Sequence, residues 1–169
     1  HSKNVESIAI HAGEGEIACA KGTESAPNIC MSTTFHVDKV LSFSANDLQE
    51  DSPYIYGRWG NPTVRALEKK LAALEEGEDA ACFASGMGAT SHLLLHLLSS
   101  GDHLVLSDTQ YAGVAELART TLPRYGIEIT PVDSSNPKDV EDAMQTNTKL
   151  VLIETPANPI MKLTDIGAI

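Results

Sequence analysis

At 169 residues the chain is long enough for one domain with a real core, or for a piece of a larger one. Its 42% hydrophobic share fits a globular protein, not a disordered tail, and a net charge of -11 with no basic patch argues against nucleic acid as a partner. No run approaches the ~18 apolar residues of a membrane span, no signal-peptide core opens the chain, and Cys19, Cys30 and Cys82 lack metal-ligand spacing; the expectation is a cytosolic protein with reduced thiols, no metal and no membrane partner.

Residues 1–60 show little periodicity. Ser7-Ile8-Ala9-Ile10-His11 reads as a short helix or an extended arm, residues 27–37 (PNICMSTTFHV) as an extended segment, and residues 44–50 as a short helix. Such irregular chain buries little against itself, so the expectation is an arm that packs on another subunit. In residues 54–63 (YIYGRWGNPT), two tyrosines, an arginine and the only tryptophan crowd into a Gly-rich loop. Packing and a phosphate site both use that composition, and the residues alone leave the two readings open. Asn61 as N-cap and Pro62 at the first helical position then start a helix. Val64, Leu67, Leu71 and Leu74 give it one apolar face, and Gly77 ends it.

From Asp79 the pattern turns regular: strand 79–84, helix 88–99, strand 103–107, helix 112–122, strand 127–132, helix 137–145 and strand 149–154. Apolar strands alternating with helices mark a parallel sheet covered on both faces by right-handed crossovers. Ligands of such sheets sit at the carboxyl ends of the strands. Polar or aromatic residues follow those ends here: Ser85-Gly86-Met87, then Asp108-Thr109-Gln110-Tyr111, then Glu154 through Asn158.

The turn Ser85-Gly86-Met87-Gly88 joins a strand to a mostly apolar helix. Glycine permits a sharp turn and close approach of a ligand to backbone, and the first amides of a helix have no internal partner, so the turn suits a phosphate. Glycines also stand at such turns for steric reasons alone. The third glycine of G-x-G-x-x-G and a Gly-Lys-Ser/Thr step are both missing, which weakens a dinucleotide-binding alternative.

Tyr56-Gly57-Arg58 with Gly60-Asn61-Pro62-Thr63, Ser85-Gly86-Met87-Gly88-Ala89, Tyr111 and Glu154-Thr155-Pro156-Ala157-Asn158-Pro159 fall in this order. The set resembles the pyridoxal-phosphate enzymes of cysteine and methionine metabolism, which include cystathionine γ-lyases and γ-synthases, methionine γ-lyases and O-acylhomoserine sulfhydrylases. The similarity runs from Ile8 to the C-terminus. It implies an α/β fold of the fold-type I pyridoxal-phosphate transferase kind, a mostly parallel sheet flanked by helices with an extended N-terminal arm. Residues 1–60 would be the arm and inter-subunit loop, and residues 61–169 the first, incomplete part of the large cofactor-binding domain. By the same resemblance Ser85, Gly86 and Met87 hold the cofactor phosphate, Tyr111 stacks on the pyridine ring, and Glu154 and Asn158 lie at the cofactor. Tyr56 and Arg58 would reach the phosphate of the neighbouring subunit in a homotetramer.

The resemblance also marks what is missing. The family's Schiff-base lysine follows a Ser-x-Thr segment, and none of Lys3, Lys21, Lys39, Lys69, Lys70, Lys138, Lys149 and Lys162 has that context. The expectation is an N-terminal portion, somewhat under half of a family member. Tyr111-Ala112-Gly113 departs from the Tyr-Gly-Cys of methionine γ-lyases, and Glu116 either favours a substrate with a distal ammonium or faces water. The expected activity is breakage of the Cγ–sulfur bond of cystathionine. γ-Replacement on an activated homoserine, a methionine γ-lyase and a half-length regulatory partner are the alternatives.

Overall fold

The computed structural model describes residues 4–13, 26–38, 44 and 52–169. The chain divides into two compact units, residues 1–82 and 83–169. The helix expected over residues 44–50 lies, residue 44 apart, outside the described residues.

In the first unit, helix α1 (Val5–His11) is capped by Asn4, whose side chain accepts from the Ser7 amide. Helix α2 (Pro62–Leu74) begins as expected, with Asn61 accepting from the Thr63 amide and Pro62 inside the first turn. Gly13, at φ 79°, lies so close to α2 that a Cβ there would stand 2.3 Å from the carbonyl oxygen of Ala66. Only glycine fits that approach. Residues 28–30 run beside the start of α2: Cys30 donates its amide to Thr63 Oγ1 at 2.8 Å and accepts from Asn61 Nδ2 at 3.2 Å.

The inward face of α2 is not the one its leucines predict. Pro62, Ala66 and Ala72 are buried, whereas Val64, Leu67 and Leu71 are exposed. Small residues occupy the inner side because backbone approaches there, so bulk and burial part company along this helix.

The second unit holds a three-stranded parallel sheet in the order β2-β1-β3, made of β1 (His103–Ser107), β2 (Glu128–Val132) and β3 (Thr148–Leu152). The fourth expected strand, 79–84, forms no ladder among the described residues. Its amides turn to side chains instead, Ala80 to Asp79 Oδ1 at 2.8 Å and Cys82 to Glu68 Oε1 at 2.9 Å. Helix α3 spans Gly86–Leu97, α4 Ala112–Glu116 and α5 Pro137–Ala143.

The predicted helix 112–122 is three pieces. After α4 come a π turn (Leu117–Thr121) and a 3-10 turn (Leu122–Tyr125), which Gly126 closes at φ 76°. Pro123 has no amide to give and Gly126 takes the left-handed position, so the helix narrows and stops.

Side chains alternate across β1. Leu104 and Leu106 join Leu94, Leu98, Val114, Ala118, Leu122 and Ile127 on one face, while Val105 meets Val132 and Val140 on the other. Both faces are thus covered, as strands of nearly unbroken apolar character require. At the amino end of the sheet, fully buried His103 bridges both neighbours, with Nδ1 2.8 Å from Thr148 Oγ1 and Nε2 2.8 Å from Thr130 Oγ1. The Gln145 side-chain amide lies 3.3 Å from the same Nε2.

Candidate active site

The N-terminus of α3 carries the expected turn. Ser85 is the N-cap, its hydroxyl accepting from the Gly88 amide at 3.0 Å, and the Ala89 amide reaches the Ser85 carbonyl. Among the described residues nothing bonds to the amides of Gly86 and Met87. A Cβ built on Gly86 meets no atom within 4 Å, so there is open space beside the Gly86 Cα at the start of the helix. Two free amides at the positive end of a twelve-residue helix suit an anion. A phosphate such as that of pyridoxal phosphate matches those donors in charge, and the Gly86 side of the turn is open.

Met87 and Tyr111 meet over Gly113, where a Cβ would stand 2.9 Å from Met87 Sδ and 2.8 Å from Tyr111 Cε1. The Tyr111 ring is 60% exposed and thus available to stack on a flat ligand. Its backbone is fixed from the far loop: the Tyr111 amide donates to Glu154 Oε2 at 2.7 Å. Met87, at the start of α3, is thus linked through Gly113 and Tyr111 to Glu154.

Asn158 sits on a tight hairpin closed by Ala157 and Lys162, whose amides and carbonyls bond reciprocally at 2.9 and 3.2 Å. The side chain of Lys162 turns back to the sheet. Its Nζ lies 2.8 Å from Asp108, which follows β1, and 2.8 Å from Asp133, which follows β2. The hydrogen bond from Lys162, then those from the Ser135 hydroxyl and amide, hold the Asp133 carboxyl down at about 2. Asp108 first and Asp133 second push the Lys162 ammonium above its ordinary range. Lys162 is thus engaged by two carboxylates, which favour its ammonium form.

Sequence reading passed over this clasp. The available signal was an aspartate directly after each of two strands, with a lysine in the loop after the third. Below it a buried hydroxyl chain runs from Ser107 to Ser134 at 2.9 Å and on to Thr164 at 2.8 Å.

In the first unit, Tyr56 and Arg58 share one turn, in which the Trp59 and Gly60 amides both reach the Tyr56 carbonyl. The guanidinium carbon of Arg58 is 5.0 Å from the Tyr56 ring centroid, and Trp59 meets that ring edge-on. Phenol and guanidinium are presented together, with Arg58 exposed. Glu116 pairs with Arg119 at 2.5 Å on an exposed helical face. Burial, then the charge of Glu68, pushes the Cys82 thiol up. Among the described residues no group of acidic, His and Cys side chains is placed to hold a metal, and no helix is long and apolar enough to cross a membrane.

Comparison with known proteins gives the same picture. The family model "Cys/Met metabolism PLP-dependent enzyme" matches residues 6–169. An L-methionine gamma-lyase of Fusobacterium nucleatum is 44% identical over 161 residues, 95% of this chain and 40% of that protein. The crystal structure of metB from Corynebacterium glutamicum superposes with a TM-score of 0.83 at 38% identity, covering 99% of this chain and 41% of that one. The cystathionine gamma-lyase from Lactobacillus plantarum, complexed with L-serine, does so with a TM-score of 0.83 at 34% identity, covering 98% and 40%. The chain spans about two fifths of the relatives it matches. It belongs to the pyridoxal-phosphate-dependent enzymes of cysteine and methionine metabolism, and it uses that family's cofactor and parallel-sheet fold.

Proposed function

We propose that this chain supplies the phosphate-binding and ring-stacking half of an enzyme that breaks the Cγ–sulfur bond of cystathionine, giving cysteine, 2-oxobutanoate and ammonia. The observation that carries the reading is the pair of amides at Gly86 and Met87 that nothing among the described residues bonds, at a turn open on the Gly86 side. Bound pyridoxal phosphate supplies an electron sink for the carbanion formed at Cα. Gly86 and Met87, with the Ser85 cap holding their turn, anchor its phosphate. Tyr111 stacks on its ring, Glu154 holds the Tyr111 loop in place, and Asn158 faces the ring's polar edge.

Tyr56 and Arg58 complete the phosphate site of a neighbouring subunit, within a tetramer built as a dimer of dimers. A guanidinium fork and a phenol match phosphate oxygens in geometry and charge. The lysine that would link covalently to the cofactor is read as lying outside this chain, because none of its lysines has the Ser-x-Thr context that the resemblance implies; Lys162, at the carboxyl edge of the sheet, is engaged by two carboxylates.

L-methionine is the second substrate reading, supported by the name of the Fusobacterium nucleatum relative. Against it, Tyr111-Ala112-Gly113 has Gly113 where the Tyr-Gly-Cys of the family's methionine γ-lyases carries its cysteine. Steady-state rates of the whole polypeptide on cystathionine, L-methionine and O-acylhomoserines decide among them. Cystathionine should give the highest kcat/KM with release of 2-oxobutanoate. A protein that takes up no pyridoxal phosphate, or turns over none of the three, would overturn the proposal.

A further inference from the structure

Three loops leave the carboxyl edge of the sheet, and a single side chain ties them together. Asp108 opens the loop that carries Tyr111, Asp133 opens the loop after β2, and Lys162 closes the hairpin that carries Asn158. The Lys162 side chain is only 16% exposed and sits between the two carboxylates, 2.8 Å from each.

We propose that Lys162 is a positioning residue, whose ammonium fixes the hairpin of Asn158 against the loop of Tyr111 and so sets the spacing of the two groups that flank the cofactor ring. The proposal rests on the reading of Tyr111 and Asn158 given above.

The hairpin has few other ties. Ala157 at its base is buried, but Asn158, Pro159, Ile160 and Met161 are exposed. Beyond the hairpin, Thr164 is anchored by its amide to Thr155 Oγ1 and by its hydroxyl to Ser134. The chain is thus held at its base and past its end, while the lateral position of the hairpin relative to Asp108 depends on Lys162. Glu154 adds the second tether between the same two loops through the Tyr111 amide. Each partner of Lys162 has a further bond, Asp108 from Thr109 and Asp133 from Ser135, so the carboxylates are oriented before the lysine arrives. Orientation in advance lowers the entropy cost of the ion pairs and turns a surface-type interaction into a geometric constraint.

The test compares Lys162→Met with Lys162→Arg in the whole polypeptide. In cofactor-free protein, hydrogen exchange of residues 156–163 should quicken ~10-fold in Lys162→Met, while β1 keeps its protection. In protein loaded with pyridoxal phosphate, kcat should fall ~10-fold with KM little changed, and Lys162→Arg should recover to within ~3-fold of the parent. Unchanged exchange in the hairpin, faster exchange throughout β1, or unaltered kcat with a loosened hairpin would each overturn the role. Should Lys162→Met fail to fold, Asp133→Asn, which leaves the Asp108 pair, reads the same local exchange. A parent protein that binds no pyridoxal phosphate would sink the reading of the site, while the exchange arm would still report on the clasp itself.

Discussion

Placing a methyl group on Gly86 separates the phosphate cradle from a merely steric turn. Gly86 is the first residue of α3, its φ is not positive, and an added Cβ has no atom within 4 Å. Gly86→Ala should therefore stabilise the cofactor-free protein by ~0.4–1 kcal/mol, because alanine loses less backbone freedom on folding. The same methyl projects into the open space at the start of the helix, so the dissociation constant of pyridoxal phosphate should rise at least ~10-fold, about 1.4 kcal/mol. Two neighbouring glycines are the controls. At Gly88 a Cβ would stand 3.1 Å from Ser85 Oγ, so Gly88→Ala displaces the helix cap and costs ~0.5–1 kcal/mol of stability. At Gly113 it would meet Met87 Sδ at 2.9 Å and Tyr111 Cε1 at 2.8 Å, so Gly113→Ala forces those side chains apart and costs ~1–3 kcal/mol. Urea unfolding of the apoprotein and a fluorescence titration with pyridoxal phosphate give both quantities for each variant. If Gly86→Ala gains stability yet binds the cofactor as tightly as the parent, no phosphate occupies the cradle.

Glu154→Gln keeps an acceptor for the Tyr111 amide but removes its charge, and should weaken cofactor binding less than Glu154→Ala does; equal losses in a titration would deny the tether. His103→Phe leaves the Thr130 and Thr148 hydroxyls without their buried partner and should cost ~2–4 kcal/mol in urea unfolding. The Asp133 carboxyl, depressed from 3.8 to about 2, supports the fold above pH 3.8, and that support is lost as pH falls from 3.8 towards 2. An NMR titration should find its midpoint moved upward in Lys162→Met. If Arg58 acts across subunits, mixing equal amounts of inactive Arg58→Ala and Gly86→Val proteins restores one intact site in each mixed pair, roughly a quarter of parental activity. Action within one subunit predicts no recovery.

The parallel sheet was legible because its strands obey a local rule. Leu104-Val105-Leu106 alternates between two buried faces, and an element covered on both sides must be apolar throughout. Asn61 and Ser85 were legible for the same reason, since a cap is chosen by amides two or three residues away. Where the outcome depends on distant chain, local pattern misleads. The apolar run 79–84 has the composition of a strand, but a strand needs a neighbour, and its amides went to Asp79 and Glu68. The leucines of α2 have helical spacing, yet the side that meets α1 had to be small enough for Gly13 to touch Ala66.

The same distinction explains how the site divides. Free amides, a capping hydroxyl and an exposed tyrosine are each fixed by a few consecutive residues, so their chemistry can be read along the chain. The relation between Tyr111 and Asn158 is fixed by nothing consecutive. It is held by Glu154 on the Tyr111 amide and by Lys162 between Asp108 and Asp133, contacts that come into being only when the three strand ends are brought side by side. A charged side chain in such a place reads in sequence as ordinary surface, and its cost in solvation is offset because both carboxylates are already oriented by their own loops. The groups proposed to touch the cofactor are therefore encoded locally, whereas the spacing between them is encoded by the sheet.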